Sequence, residues 1–152
     1  MPKLIRKSLR EIWVKVTLKY KIIILRLFGA KIGKGCYIYT SLMNFDKIYT
    51  DKIDIGNNVT IAKGVILLCH DMAKDYVHKK EHNNEFVGKI KIGNNCFIGT
   101  NSIILPDVKI GNNVIIGAGS IVSKHIQDNV VVAGNPAKVI REFELIDTNQ
   151  KN

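Results

Sequence analysis

An aliphatic residue recurs at every sixth position from Ile92 to Val122, through Ile98, Ile104, Ile110 and Ile116, usually with a smaller apolar residue four places later. In an α-helix this period would drift around the axis. In extended chain the first and fifth residues of each hexad point to the same side. Each hexad therefore reads as a short strand and a corner, with Gly and Asn-Asn pairs at the corners because they tolerate positive φ. The motif Ile-Gly-Asn-Asn begins at 55, 92 and 110, and the last two copies lie 18 residues, or three hexads, apart. That spacing predicts a coil with three flat sides stacked on the next, an all-β parallel β-helix burying a column of Ile, Val, Leu and Cys.

The pattern breaks once. From Ile55 to Ile92 there are 37 residues, one coil of 18 and an excess of 19. Lifting out residues 71–89 closes the broken hexad as Leu67, Leu68, Cys69, His70, Ile90, Lys91, which places His70 at a corner where a polar loop leaves the helix. Loops of this length in a compact domain are usually functional. An imidazole there, with an unperturbed pKa of about 6.5, suits general base chemistry, but a solvated turn residue fits the same position. The chemistry alone does not choose.

Residues 3–31 carry nine Lys or Arg against the single Glu11, most of the chain's formal charge of +10. Leu4, Ile5, Leu9, Ile12, Trp13, Val16, Tyr20, Ile23 and Leu27 recur with helical spacing. The expectation is a short N-terminal helix over residues 1–31 that packs this apolar face on one end of the β-helix and keeps a solvated basic face. Contact of residues 3–31 with an anionic membrane is the rival reading; nucleic acid is not expected as a partner. No apolar run approaches the roughly 18 residues of a membrane span, and no signal-like core is evident, so the expected location is cytoplasmic, or peripheral at the inner face of the membrane. Cys36, Cys69 and Cys96 lack metal-site or disulfide-framework spacing and read as reduced packing residues.

The hexads, the segment NFDKIYTDKIDIGNNVTIAKGVILLCHD and the ending AGNPAKVIR together resemble the hexapeptide-repeat acyltransferases, particularly the galactoside, maltose and polysaccharide O-acetyltransferases. The resemblance covers about residues 32–141, leaving 142–152 as a tail. It implies a left-handed coil, which spacing could not supply, a homotrimer with the active site between subunits, and acetyl-coenzyme A as cosubstrate with no metal. It further implies His70 as the base acting on a sugar hydroxyl, with a surface polysaccharide or its precursor as one acceptor class, Glu85 orienting the ring and Asp71 or Asp46 as competing orienters. Asn44 matches an acceptor-contacting asparagine, and Asp71 is grouped with it at the acceptor. Thr100 and Ala118 match positions whose backbones line the pantetheine arm, while Ser123, Lys124, Lys138 and Arg141 match residues near the nucleotide end.

Four rivals remain. HKKEH at 78–82 fits a zinc-protease pattern, which needs a stable helix rather than an inserted loop. A hydratase like the γ-class carbonic anhydrases would need three convergent histidines, yet only His70 and His125 lie in the repeats. Serine or nucleotide-amino-sugar acetyltransferase is the enzymatic alternative. A non-catalytic scaffold is the last, because fold alone does not establish activity.

Overall fold

The computed structural model describes residues 3–73 and 85–143, apart from the side chains of residues 3–8 and Arg10. Its repeats wind as a left-handed parallel β-helix with three faces. The first face stacks Lys31–Ile32, Ile53–Ile55, Ile90–Ile92 and Lys109–Ile110. The second stacks Tyr37–Ile38, Thr60–Ile61, Phe97–Ile98, Ile115–Ile116 and Val130–Ala133, and the third Ile66–Leu67, Ile103–Ile104 and Ile121–Val122.

Register follows the hexads. Ile92 pairs with Ile110, Ile98 with Ile116 and Ile104 with Val122, each 18 residues on. Because the register is the same on every face, inward side chains form columns, and Ile38, Ile61, Ile98 and Ile116 are all fully buried. Cys36, Cys69 and Cys96 are buried in the same core. The corners carry the polar residues. Asn58, Asn95, Asn113 and Asn129 occupy the left-handed backbone region at the edge between the first and second faces, with side-chain amides that bond from coil to coil.

A second irregularity precedes the one anticipated. Ile32 pairs with Ile55 and Ile38 with Ile61, a spacing of 23 rather than 18. The surplus lies around Phe45, which bridges Leu67 on the third face and is flanked by the single turns Leu42–Asn44 and Thr50–Lys52. The inserted loop leaves one coil later at the same edge, between the third and first faces. Its base is a two-stranded antiparallel ribbon, His70 opposite Val87 and Asp71 opposite Phe86. The HKKEH segment lies outside the described residues.

The N-terminal helix, Lys3–Leu27, lies against the first coil, but with the opposite face from the one expected. Leu18 and Leu25 are buried, whereas Leu9, Ile12, Trp13, Val16, Tyr20, Ile23 and Leu27 are exposed. The edge strands of the first coil explain the choice, because their outward carbonyls need donors. Lys21 Nζ donates to the carbonyls of Ile38, Tyr39 and Thr40, and the Arg26 guanidinium donates to those of Ile32 and Gly33. Fixing Lys21 and Arg26 on the coil turns Leu18 and Leu25 inward and the longer apolar stripe outward. At the other end Lys138–Glu142 folds back antiparallel on Val130–Ala133 and ends the stack.

Coil spacing leaves no room for a side chain where glycines stack. A Cβ at Gly93 would sit 2.5 Å from the carbonyl oxygen of Gly111. Gly93→Ala is therefore expected to lose about 1–3 kcal/mol by overpacking, lowering Tm by roughly 3–10 °C in a thermal melt followed by circular dichroism.

Candidate active site

The two irregularities share one edge in successive coils, and this brings Asp46 to His70. Asp46 follows Phe45, His70 follows Leu67 by three, and Phe45 and Leu67 are bridged. His70 Nδ1 hydrogen-bonds Asp46 Oδ2. The Asp46 side chain is 2% exposed and that of His70 32%, so the carboxylate is fixed inside while part of the ring faces solvent. Asp46 also accepts from the backbone N–H groups of Cys69, at 3.1 Å, and Tyr49, at 3.4 Å. Burial by itself would raise the Asp46 pKa. The hydrogen bond from His70, the Cys69 N–H, the charge of His70 and the Tyr49 N–H outweigh it and hold the carboxyl below its ordinary value.

An ionised carboxylate can only accept, so Nδ1 carries the proton in this bond, and whenever the ring is neutral it is Nε2 that keeps the lone pair. The ring borders a cleft of about 370 Å³ whose walls include Met43, Asn44, Asp46, Ile48, Leu68 and His70. Asn44 stands in that cleft with its side-chain amide donating to Thr40 Oγ1 at 2.8 Å, and Thr40 in turn donates to the Val65 carbonyl. A donor–acceptor amide and a ring nitrogen with a free lone pair thus line one cleft. That combination can hold a hydroxyl and remove its proton.

Glu85 has a different hydrogen-bond partner. It does not reach His70; it accepts a hydrogen bond from the Tyr49 hydroxyl, and the Tyr49 ring lies 5.6 Å from the His70 ring, tilted by 51°. The Glu85 carboxylate raises the Tyr49 phenol above its ordinary value. The direct partner of His70 is Asp46, one of the competing orienters in the sequence, while Glu85 bonds Tyr49, whose ring lies beside that of His70. Asp71 is exposed and accepts from the Ala73 N–H at 2.8 Å, holding the start of the loop. It is not among the residues lining the cleft. Tyr49 and Thr40 were missed by sequence reasoning; the 23-residue spacing of the first coil was the signal that this segment departs from the repeat.

The remaining positions lie elsewhere. Thr100 and Ala118 are exposed at the edge between the second and third faces, directly stacked through the Gly119 N–H to the Thr100 carbonyl at 2.8 Å. Ser123 and Lys124 border a separate depression on the His70 edge, with Phe86, Pro106, Asp107 and His125. Lys138 and Arg141 are exposed on the last strand. Within one chain, then, His70 and the Thr100–Ala118 edge sit on opposite margins of the third face. Cys69, beside His70 in the chain, is a buried free thiol, and burial, aided by the charge of Asp46, pushes it up to about 12. No group of three or more His, Cys, Asp or Glu suited to a metal occurs among the described residues.

A model of the bacterial transferase hexapeptide family, described as six repeats, matches residues 89–124. Protein CapG of Staphylococcus aureus is 46% identical over 124 residues, 82% of this chain and 72% of that protein. The putative colanic acid biosynthesis acetyltransferase WcaF of Escherichia coli is 34% identical over 145 residues, 84% of this chain and 78% of its own. Other relatives are longer, and the chain spans 60% of a putative acetyltransferase of Dictyostelium discoideum. Among solved structures, a maltose O-acetyltransferase from Clostridium difficile superposes with a TM-score of 0.59 at 26% identity, over 87% of this chain and 89% of that one. With a three-faced coil, a repeat matched by the family model and relatives of this likeness along most of its length, the chain belongs to the hexapeptide-repeat acetyltransferases.

Proposed function

We propose that the protein transfers an acetyl group from acetyl-coenzyme A to a sugar hydroxyl of a surface polysaccharide or its precursor, with His70 as general base. The observation that carries this reading is the Asp46–His70 pair opening on the cleft that Asn44 shares. The sugar acceptor is supported by the relatives, one named for colanic acid biosynthesis and one for maltose.

Asn44 holds the acceptor hydroxyl, and His70 Nε2 takes its proton as the oxygen attacks the thioester carbonyl. Asp46, fixed by the Cys69 and Tyr49 N–H groups, holds the ring in the productive tautomer and stabilises the imidazolium that forms. Collapse of the tetrahedral intermediate breaks the carbon–sulfur bond, and the imidazolium returns its proton to the departing thiolate. Acetyl-coenzyme A supplies the activated acyl group. The backbones at Thr100 and Ala118 line its pantetheine arm, while Ser123, Lys124, Lys138 and Arg141 meet its nucleotide end, where cations favour phosphate. Since His70 and the Thr100–Ala118 edge lie on opposite margins of one face, the complete site is assembled between neighbouring protomers of a homotrimer, one interface repeated three times.

Three measurements test this. His70→Ala and His70→Asn are expected to retain the oligomer and its affinity for coenzyme A while turnover falls roughly 10²- to 10⁴-fold, followed as free thiol release with a panel of sugars, glycans and serine. Turnover near the original rate where chemistry is limiting would remove His70 from the mechanism. Mixed oligomers that combine His70→Ala protomers with Ala118→Trp protomers, whose Thr100–Ala118 edge is blocked to the donor, should recover part of the activity; no recovery in verified mixtures rules out a shared site. Asp46→Asn should lower turnover by up to about 10⁴-fold, the cost of a wrong tautomer in a comparable carboxylate–histidine pair. It should also change the acid limb of stability. Because the folded pKa of Asp46 is depressed, its contribution is present above the unfolded value of about 3.9 and is lost as pH falls through the folded value. The substitution should flatten the stability profile below about pH 4.

A further inference from the structure

The exposed side of the N-terminal helix is left unexplained by acetyl transfer. Leu9, Val16 and Ile23 repeat at intervals of seven, as do Trp13, Tyr20 and Leu27, with Ile12 beside them. At 3.6 residues per turn these two rows form one stripe about 27 Å long from Leu9 to Leu27. Leu18 and Leu25, which meet the β-helix, lie on the opposite side. The stripe therefore points away from its own domain, with Trp13 68% and Leu27 80% exposed.

Charge decides what can cover it. Lys15 and Lys19 flank the stripe along one side and are exposed, and residues 3–31 carry nine basic residues and one acidic residue. A second copy of the same helix would bring a like-charged segment against it. An anionic bilayer offers the complementary charge and also an apolar layer beneath its headgroups, where Trp and Tyr rings favour the interface. The apolar surface also continues toward the acceptor side. Ile24, Phe28, Leu42 and Met43 line a groove of about 240 Å³, and Met43 belongs equally to the rim of the His70 cleft.

We infer that this helix is a membrane-docking element. It lies in the plane of an anionic bilayer surface, burying the Leu9–Leu27 stripe while Lys15 and Lys19 remain at the headgroups. The side of the molecule bearing the Met43 rim then faces the membrane. The inference stands on the helix alone and does not require the proposed sugar acceptor.

Trp13 is the chain's only tryptophan, so its emission reports the stripe directly. Full-length protein is mixed at low salt with vesicles of equal phosphatidylglycerol and phosphatidylcholine, and with pure phosphatidylcholine. The expected result is a blue-shifted emission and co-sedimentation with the anionic vesicles only, reversed by high salt. Lys15→Gln with Lys19→Gln should weaken partitioning roughly 30-fold. Val16→Gln with Ile23→Gln should abolish it while circular dichroism and sedimentation mass stay unchanged. Failure to bind anionic vesicles at low salt overturns the inference. So does binding that survives the stripe substitutions, or a fall in sedimentation mass caused by them, which would assign the stripe to a second copy of this chain.

Discussion

Everything in this molecule depends on backbone pairing between coils held at a constant offset. Where the offset is 18, as from Ile92 to Ile110, each inward residue lies above its counterpart and each corner above a corner. This constraint makes a six-residue pattern sufficient to specify a fold, since no side chain needs a partner remote from its own column. It also explains why departures matter. A departure can be absorbed only at a corner, where chain can leave and return without disturbing the ladder.

Both insertions use the same edge, and the site results from their adjacency. The extra residues around Phe45 present Asp46, and the excursion after His70 carries the chain away before Val87 and Gly88 bring it back. Gly88 is the tight point of that return, since a Cβ there would lie 2.3 Å from the Asp107 nitrogen. The chain at Gly88 is thus pressed onto the next coil, and His70 is held between the Asp46 carboxylate and the ring of Tyr49.

The repeated part of this arrangement was legible because its physics is periodic. Ile92 to Val122 could be assigned to faces from spacing alone, and His70 emerged as the point where the spacing failed. Glu85 could not be placed by the same means, because its position depends on the path of a loop without period, and it reaches Tyr49 instead of His70. The helix misled for another reason. It is apolar on two sides, Leu18 and Leu25 on one and the Leu9–Leu27 stripe on the other, and periodicity cannot say which side meets the protein. The deciding contacts were polar ones, Lys21 and Arg26 on the open carbonyls of the first coil.

The stacked coils have a pitch, and the pitch makes the body of the protein a ruler. Successive coils are one inter-strand spacing apart, about 4.8 Å. Thr100 and Ala118 mark adjacent graduations on one edge. Duplicating 18 residues within the regular stretch would preserve every column and every corner, and the core would register no fault. Positions on either side of the duplication would nevertheless move apart by one graduation. A ligand lying along the axis is therefore measured in whole coils, and its length can be rematched only in steps of about 4.8 Å.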